Sequence, residues 1–169
     1  MDKGLTEERV RQAQEPGQYS PLVLAYIGDA VYETMIRARA LEKGSRPVSR
    51  IYAEVRQYVN AGAQAEMHRL LEELLTEEEK DIFRRGRNAH SHTMAKNASM
   101  SDYRAATGFE ALVGYLWLKR ETGRLEELVD EGILRLDRAK QGMSVRQRGE
   151  NKKTKRPAAG QERKDEDSR

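Results

Sequence analysis

The chain has 169 residues, 37% of them hydrophobic and 35% charged, with no cysteine and a net charge of +3. That length suits one domain of ordinary size plus tails, and the lack of cysteine excludes disulfides and thiolate metal sites, as in a reducing, cytoplasmic compartment. No apolar run approaches the ~20 residues that span a bilayer, and the polar start MDKGLTEERVRQAQEPGQ lacks the apolar segment of a signal peptide.

The small net charge hides an asymmetry. Eleven of the 31 Lys and Arg, but only five of the 28 Asp and Glu, lie from Arg138 onward, which leaves 20 basic against 23 acidic residues in 1–137. The body is therefore not a basic block, and any surface on it that binds a polyanion has to be a local patch.

Residues 1–18 form a polar leader ending at Pro16-Gly17. Ser20 is placed as an N-cap with Pro21 at the first helical position. Leu24, Ile27, Val31 and Met35 then step by three or four along a first helix that stops at Gly44. A second helix is predicted over Val48–Val59 with Ile51, Val55 and Val59 inward, and Gly62 marks a turn. A third covers about Ala63–Leu75 with Met67, Leu70, Leu71 and Leu74 inward. Thr76 and Glu79 have capping-box spacing and open a fourth helix, acidic at its start and basic at its end, which is predicted to stop near Gly86.

Residues 87–100 show no period and read as a loop. Ser99 or Ser101 caps a long helix to about Glu121, lined by Leu112, Tyr115, Leu116 and Trp117, and Gly123 separates it from a last helix carrying Leu125, Leu128, Val129, Ile133 and Leu136. No segment alternates with a strand's period, so the fold class is all-α. From Arg138 onward apolar residues are few and charges many, which predicts a basic, disordered tail over 138–169 beyond a domain at 19–137.

Two segments carry chemistry. In Leu24-Ala25-Tyr26-Ile27-Gly28-Asp29-Ala30-Val31 an acid follows a glycine inside an apolar helix. Glycine there costs about 1 kcal/mol against alanine, so it calls for a close approach of another backbone. Thr107-Gly108-Phe109-Glu110-Ala111-Leu112-Val113-Gly114 repeats the arrangement. Two such helices can cross closely and bring Asp29 and Glu110 to one spot, a pairing suited to a hard divalent cation held partly through water.

LAYIGDAVYE resembles the signature helix of ribonuclease III, Leu-Glu-Phe-Leu-Gly-Asp-Ala/Ser-Val, and the second segment resembles that family's Asp-x-x-Glu-Ala-Leu-x-Gly motif. With RGRNA (Arg85–Ala89) and YRAATGFEALVGYLWL (Tyr103–Leu118), the likeness is closest to the Mini-III subfamily, a catalytic domain without a double-stranded-RNA-binding domain. It covers about residues 19–137. Two of the family's four acidic positions are neutral here, at Ala25 and Thr107, so only Asp29 and Glu110 carry over as catalytic and metal-binding residues.

The resemblance implies a dimeric, metal-dependent endoribonuclease that cuts double-stranded RNA, with ribosomal RNA precursor (23S) as substrate. It implies Mg2+, with Mn2+ as the alternative, and neither a small-molecule cofactor nor a membrane. Tyr26 and Gly28 are placed at the interface between the two copies. Arg84, Arg85, Arg87, Asn88, Lys96 and Arg104 are the candidate RNA contacts, since A-form RNA is read through shape, phosphates and 2′-hydroxyls. His90 and His92 read as loop residues, and Glu33 either serves metal-bound water or pairs with Arg37. The competing readings are a catalytically inactive ribonuclease III-like domain acting in RNA binding or ribosome assembly, and a helical dimerisation module.

Overall fold

Side-chain caps mark where four of the helices begin in the computed structural model, which describes residues 14–89 and 99–154. After a 3-10 turn at Pro16–Gln18, helix α1 spans Pro21–Leu41, and the Ser20 hydroxyl accepts the Val23 N–H at 3.3 Å. It ends before Gly44, whose φ of +82° suits glycine and whose N–H reaches the Leu41 carbonyl at 2.9 Å. Helix α2 spans Val48–Val55. Helix α3 spans Ala61–Leu71 and is capped by Asn60, and a 3-10 turn follows at Glu72–Leu74. Helix α4 spans Glu77–Asn88 and opens on the full capping box of Thr76 and Glu79. Helix α5 spans Met100–Leu118, capped by Ser99, and helix α6 spans Thr122–Thr154. No strand occurs among the described residues, so the protein is all-α.

Several boundaries differ from the sequence expectation, each for a local reason. Gly62 lies inside the first turn of α3, because the Asn60 side chain sets the start before it. Helix α2 ends at Val55 rather than Val59, and the chain turns before that cap. Leu74 is exposed and Leu75 is buried in its place, since the 3-10 turn changes which side chain faces inward. The break between α5 and α6 falls before Gly123, at Arg120. That residue has φ 63°, and the bonds Arg120 N–H to Trp117 and Glu121 N–H to Leu116 close a Schellman motif.

The chain forms two compact units, one ending at Leu136 and the other beginning at Asp137. In the first unit α5 is the central helix. Its buried residues fall on nearly every face, from Ala106 through Leu116, as expected of a helix enclosed by others. Helices α1, α4 and α3 pack on it. Leu125, Leu128, Val129 and Ile133 of α6 join the same core, and Arg124 fixes that helix to α4 by a two-pronged ion pair with buried Glu79 at 2.9 and 3.0 Å. Burial raises the Glu79 pKa, but the Arg124 hydrogen bonds and charge together with the Thr76 hydrogen bonds outweigh it, so the pKa lies below the ordinary value. The second unit is helical over 137–154, which corrects the expectation of a disordered tail for that stretch. Gln, Lys, Arg and Glu are good helix formers without any core to bury. The predicted leader before residue 14 and the tail beyond Thr154 lie outside the described residues.

Candidate active site

The helices that carry the two carboxylates, α1 and α5, cross closely, near enough for the Asp29 charge to act on Glu110. A Cβ on Gly28 would fall 1.8 Å from the Glu110 carbonyl oxygen, and one on Gly114 would fall 2.0 Å from the carbonyl oxygen of Leu24. Only paired glycines let two helix backbones touch in this way. Gly28 is therefore buried within its own chain, which corrects its placement at an interface between copies.

Asp29 follows Gly28 and is exposed, while Glu110 is half-buried on the facing helix. Burial raises the Glu110 pKa to about 7; the Asp29 charge adds to the shift and the Gln64 side chain opposes it. Burial also raises the Asp29 pKa, with Glu33 adding to it. Among the described residues no cation pairs with either carboxylate. Glu33 itself pairs with Arg37 one turn along, the second of its two expected roles.

Two hard oxygen donors crowded together without a counter-charge suit a divalent cation. No group of three or more potential ligands occurs among the described residues. Ala25 and Thr107, at the two neutral positions, are both buried, and the Thr107 hydroxyl donates to the Tyr103 carbonyl of its own helix at 3.0 Å.

Gln64 was missed by the sequence reading. It is 2% exposed on α3, and its Nε2 meets no partner at hydrogen-bond geometry, although the side chain acts on Glu110. A signal for it existed. Gln64 stands on the inward stripe with Met67 and Leu71, three and seven residues ahead of them.

The candidate RNA-binding residues separate. Arg84 pairs with Asp81, and Arg85 is half-buried with Nη2 3.5 Å from the Tyr19 carbonyl. Arg87, Asn88 and Arg104 are exposed. Arg87 has no ion pair among the described residues. Arg84 and Arg87 line a cavity of about 560 Å³ together with Lys80, Arg69, His68 and Phe83. His68 stacks on Phe83 with ring centroids 3.3 Å apart. Neither Asp29 nor Glu110 lines that cavity. Lys96, His90 and His92 lie outside the described residues.

The ribonuclease III domain family matches residues 22–121 of the chain. A Mini-ribonuclease 3 of Clostridium tetani is 50% identical over 117 residues, covering 69% of this chain and 78% of that protein. Another, from Thermoanaerobacter sp., is 50% identical over 114 residues, or 68% of this chain and 80% of its own. That of Enterococcus faecalis is 48% identical over 115 residues, or 67% and 87%. Among solved structures, the crystal structure of a protein from Fusobacterium nucleatum superposes with a TM-score of 0.65 at 28% identity, covering 72% of this chain and 97% of that one.

Proposed function

The chain belongs to the Mini-III branch of the ribonuclease III family of endoribonucleases, and from that premise we propose that it cuts double-stranded RNA with a divalent metal ion held by Asp29 and Glu110. The observation that carries this reading is the pair of uncompensated carboxylates at the crossing of α1 and α5. Held by Asp29 and Glu110, Mg2+ would supply an activated water and charge stabilisation for the departing 3′-oxygen. The chain's own part is to hold the two carboxylates at one spot on backbones too closely packed to drift. With two acids rather than four, its share of the ligand set is small, and the substrate phosphate supplies more of it.

Structured ribosomal RNA precursor, 23S in particular, is the substrate class the Mini-III resemblance favours. A homodimer fits a duplex, which presents two strands to cut. Its support on this chain is the apolar strip of Leu22, Val23 and Tyr26 left exposed on α1.

The neutral positions Ala25 and Thr107 favour a second reading, an RNA-binding domain without catalysis. A cleavage assay on duplex RNA with Mg2+ or with chelator separates the two. Metal-dependent cuts that disappear in Asp29→Asn and Glu110→Gln are the expected result. Binding without cleavage selects the second reading.

A further inference from the structure

We propose that Gln64 is a positioning residue that holds the Glu110 carboxylate in orientation for the metal ion by donating an amide N–H to one of its oxygens. The inference rests on the metal-binding reading above and assigns that site a third participant.

Helix α3 places it. Asn60 caps the helix by accepting the Ala63 N–H at 3.0 Å, and the Gln64 N–H closes the first backbone bond to the Asn60 carbonyl at 3.0 Å. The start of the helix is thus pinned one turn before Gln64, and its inward stripe of Gln64, Met67 and Leu71 is fully buried. Met67 in turn packs at Gly132 of α6, where a Cβ would fall 2.8 Å from its side chain. Gln64 is a polar group held among apolar neighbours by a framework that does not need it to be polar. A buried amide without a partner costs roughly 1–3 kcal/mol, and glutamine is rarely buried so completely. Methionine would fill the same space at no such cost.

The compensation lies on α5. The Gln64 side chain opposes the rise in the Glu110 pKa, as a nearby donor does, and its fully buried Nε2 closes no hydrogen bond among the described residues. An N–H donated to an ionised carboxylate is charge-assisted, stronger than a neutral bond. Partners that orient a metal-ligating side chain in this way typically contribute 10–100-fold in metal affinity or activity.

The test uses the full chain and Mn2+ as probe, with binding read by calorimetry and by the spin-resonance signal of the ion. Gln64→Met preserves volume and removes the donor; Gln64→Leu is the second variant should methionine pack badly. The expected result is an unchanged or raised melting temperature without metal, Mn2+ affinity lowered about 10-fold or more, and a matching rise in the metal concentration needed for half-maximal cleavage. A purely structural role would move the melting temperature and leave the affinity alone, and that result overturns the proposal. So does failure of both variants to fold. If Glu110→Gln loses Mn2+ while Gln64→Met keeps it, this inference falls and the metal reading stands. If Glu110→Gln binds Mn2+ like the parent, the metal reading falls and takes this inference with it.

Discussion

The carbonyl oxygen of Glu110 occupies the place that a Cβ on Gly28 would need, only 1.8 Å from it. Both atoms in that contact belong to helix backbones, so no side-chain rotation relieves a substitution. Gly28→Ala should therefore push α1 and α5 apart and separate Asp29 from Glu110 along with them. Overpacking usually costs about 1–3 kcal/mol, and a backbone clash belongs at or above the top of that range. Gly123→Ala is the contrasting variant, since nothing lies within 4 Å of its Cβ position in the first turn of α6. It should gain roughly 0.5–1 kcal/mol by restricting the unfolded chain. Thermal melts of the two variants check the pair, and a Gly28→Ala chain as stable as its parent would remove the close crossing from the account.

Two half-buried groups give the chain opposing pH dependences. Burial and the Asp29 charge raise Glu110 from the ordinary 4.5 to about 7. Across that window the folded chain keeps a proton the unfolded chain has released, so stability falls as pH rises. Burial against Phe83 lowers His68 from 6.5 to about 4, with Glu72 opposing and Arg87 reinforcing the shift. Across that window the unfolded chain holds the extra proton, so stability rises with pH. The parent should show a shallow profile between pH 4.5 and 6.5. Glu110→Gln removes one slope and should become more stable than the parent at pH 8 in chelator, by about 1–3 kcal/mol, with the advantage vanishing near pH 4. Melting temperatures of the two chains across pH decide it; a pH-independent difference would contradict the assignment.

Tyr26 is 83% exposed, with Leu22 and Val23 exposed on the turn before it. An apolar strip of this kind on the helix that carries Asp29 is expected to be covered by a second copy. Tyr26→Lys places a charge in that contact and should yield monomers at micromolar concentration by sedimentation velocity, with the melting temperature of each chain nearly unchanged. A parent chain that sediments as an active monomer under the same conditions ends the dimer reading.

The sequence displayed the carboxylate pair because its signal is local: glycine beside an acid in an apolar helix, twice over. The caps at Ser20 and Thr76 were legible for the same reason, each resting on residues three apart. The glycines were harder. Gly86 reads as a helix stop, yet α4 runs on to Asn88 because Gly86 lies against α5, its Cβ position 2.9 Å from the Gly108 Cα. A glycine that ends a helix and one that admits a neighbouring helix look alike in one dimension. Gln64 escaped for a related reason. Its meaning depends on Glu110, 46 positions away on another helix, and no periodicity links the two. The ion pair of Glu79 with Arg124 was hidden likewise, since the capping box already accounted for the glutamate.

The last prediction concerns which cations carry RNA affinity. Arg87 is exposed, lacks an ion pair among the described residues, and shares a cavity with His68 and Phe83. Arg84 is paired with Asp81, and Arg85 reaches back to the Tyr19 carbonyl, so neither is as free to meet a phosphate. Arg87 sits on α4, which packs directly on the helix bearing Glu110 and so moves with the carboxylate pair. The surplus of cations beyond Arg138 is spread along the chain and is partly offset by Asp165, Glu166 and Asp167. Those charges supply attraction without register. Arg87→Ala should therefore slow cleavage even at low salt, because the duplex loses a fixed point. It should also flatten the salt dependence of binding by about 0.9 in log–log slope, on the duplex-DNA rule. Arg85→Ala should instead lower the melting temperature slightly and change cleavage less. Deleting 139–169 should weaken binding while leaving the cut position unchanged. Cleavage-site mapping on one labelled duplex, with binding measured across salt, tests all three variants together. A cut site that shifts on deletion, with Arg87→Ala cutting like the parent at limiting RNA, would transfer the positioning role from α4 to the tail.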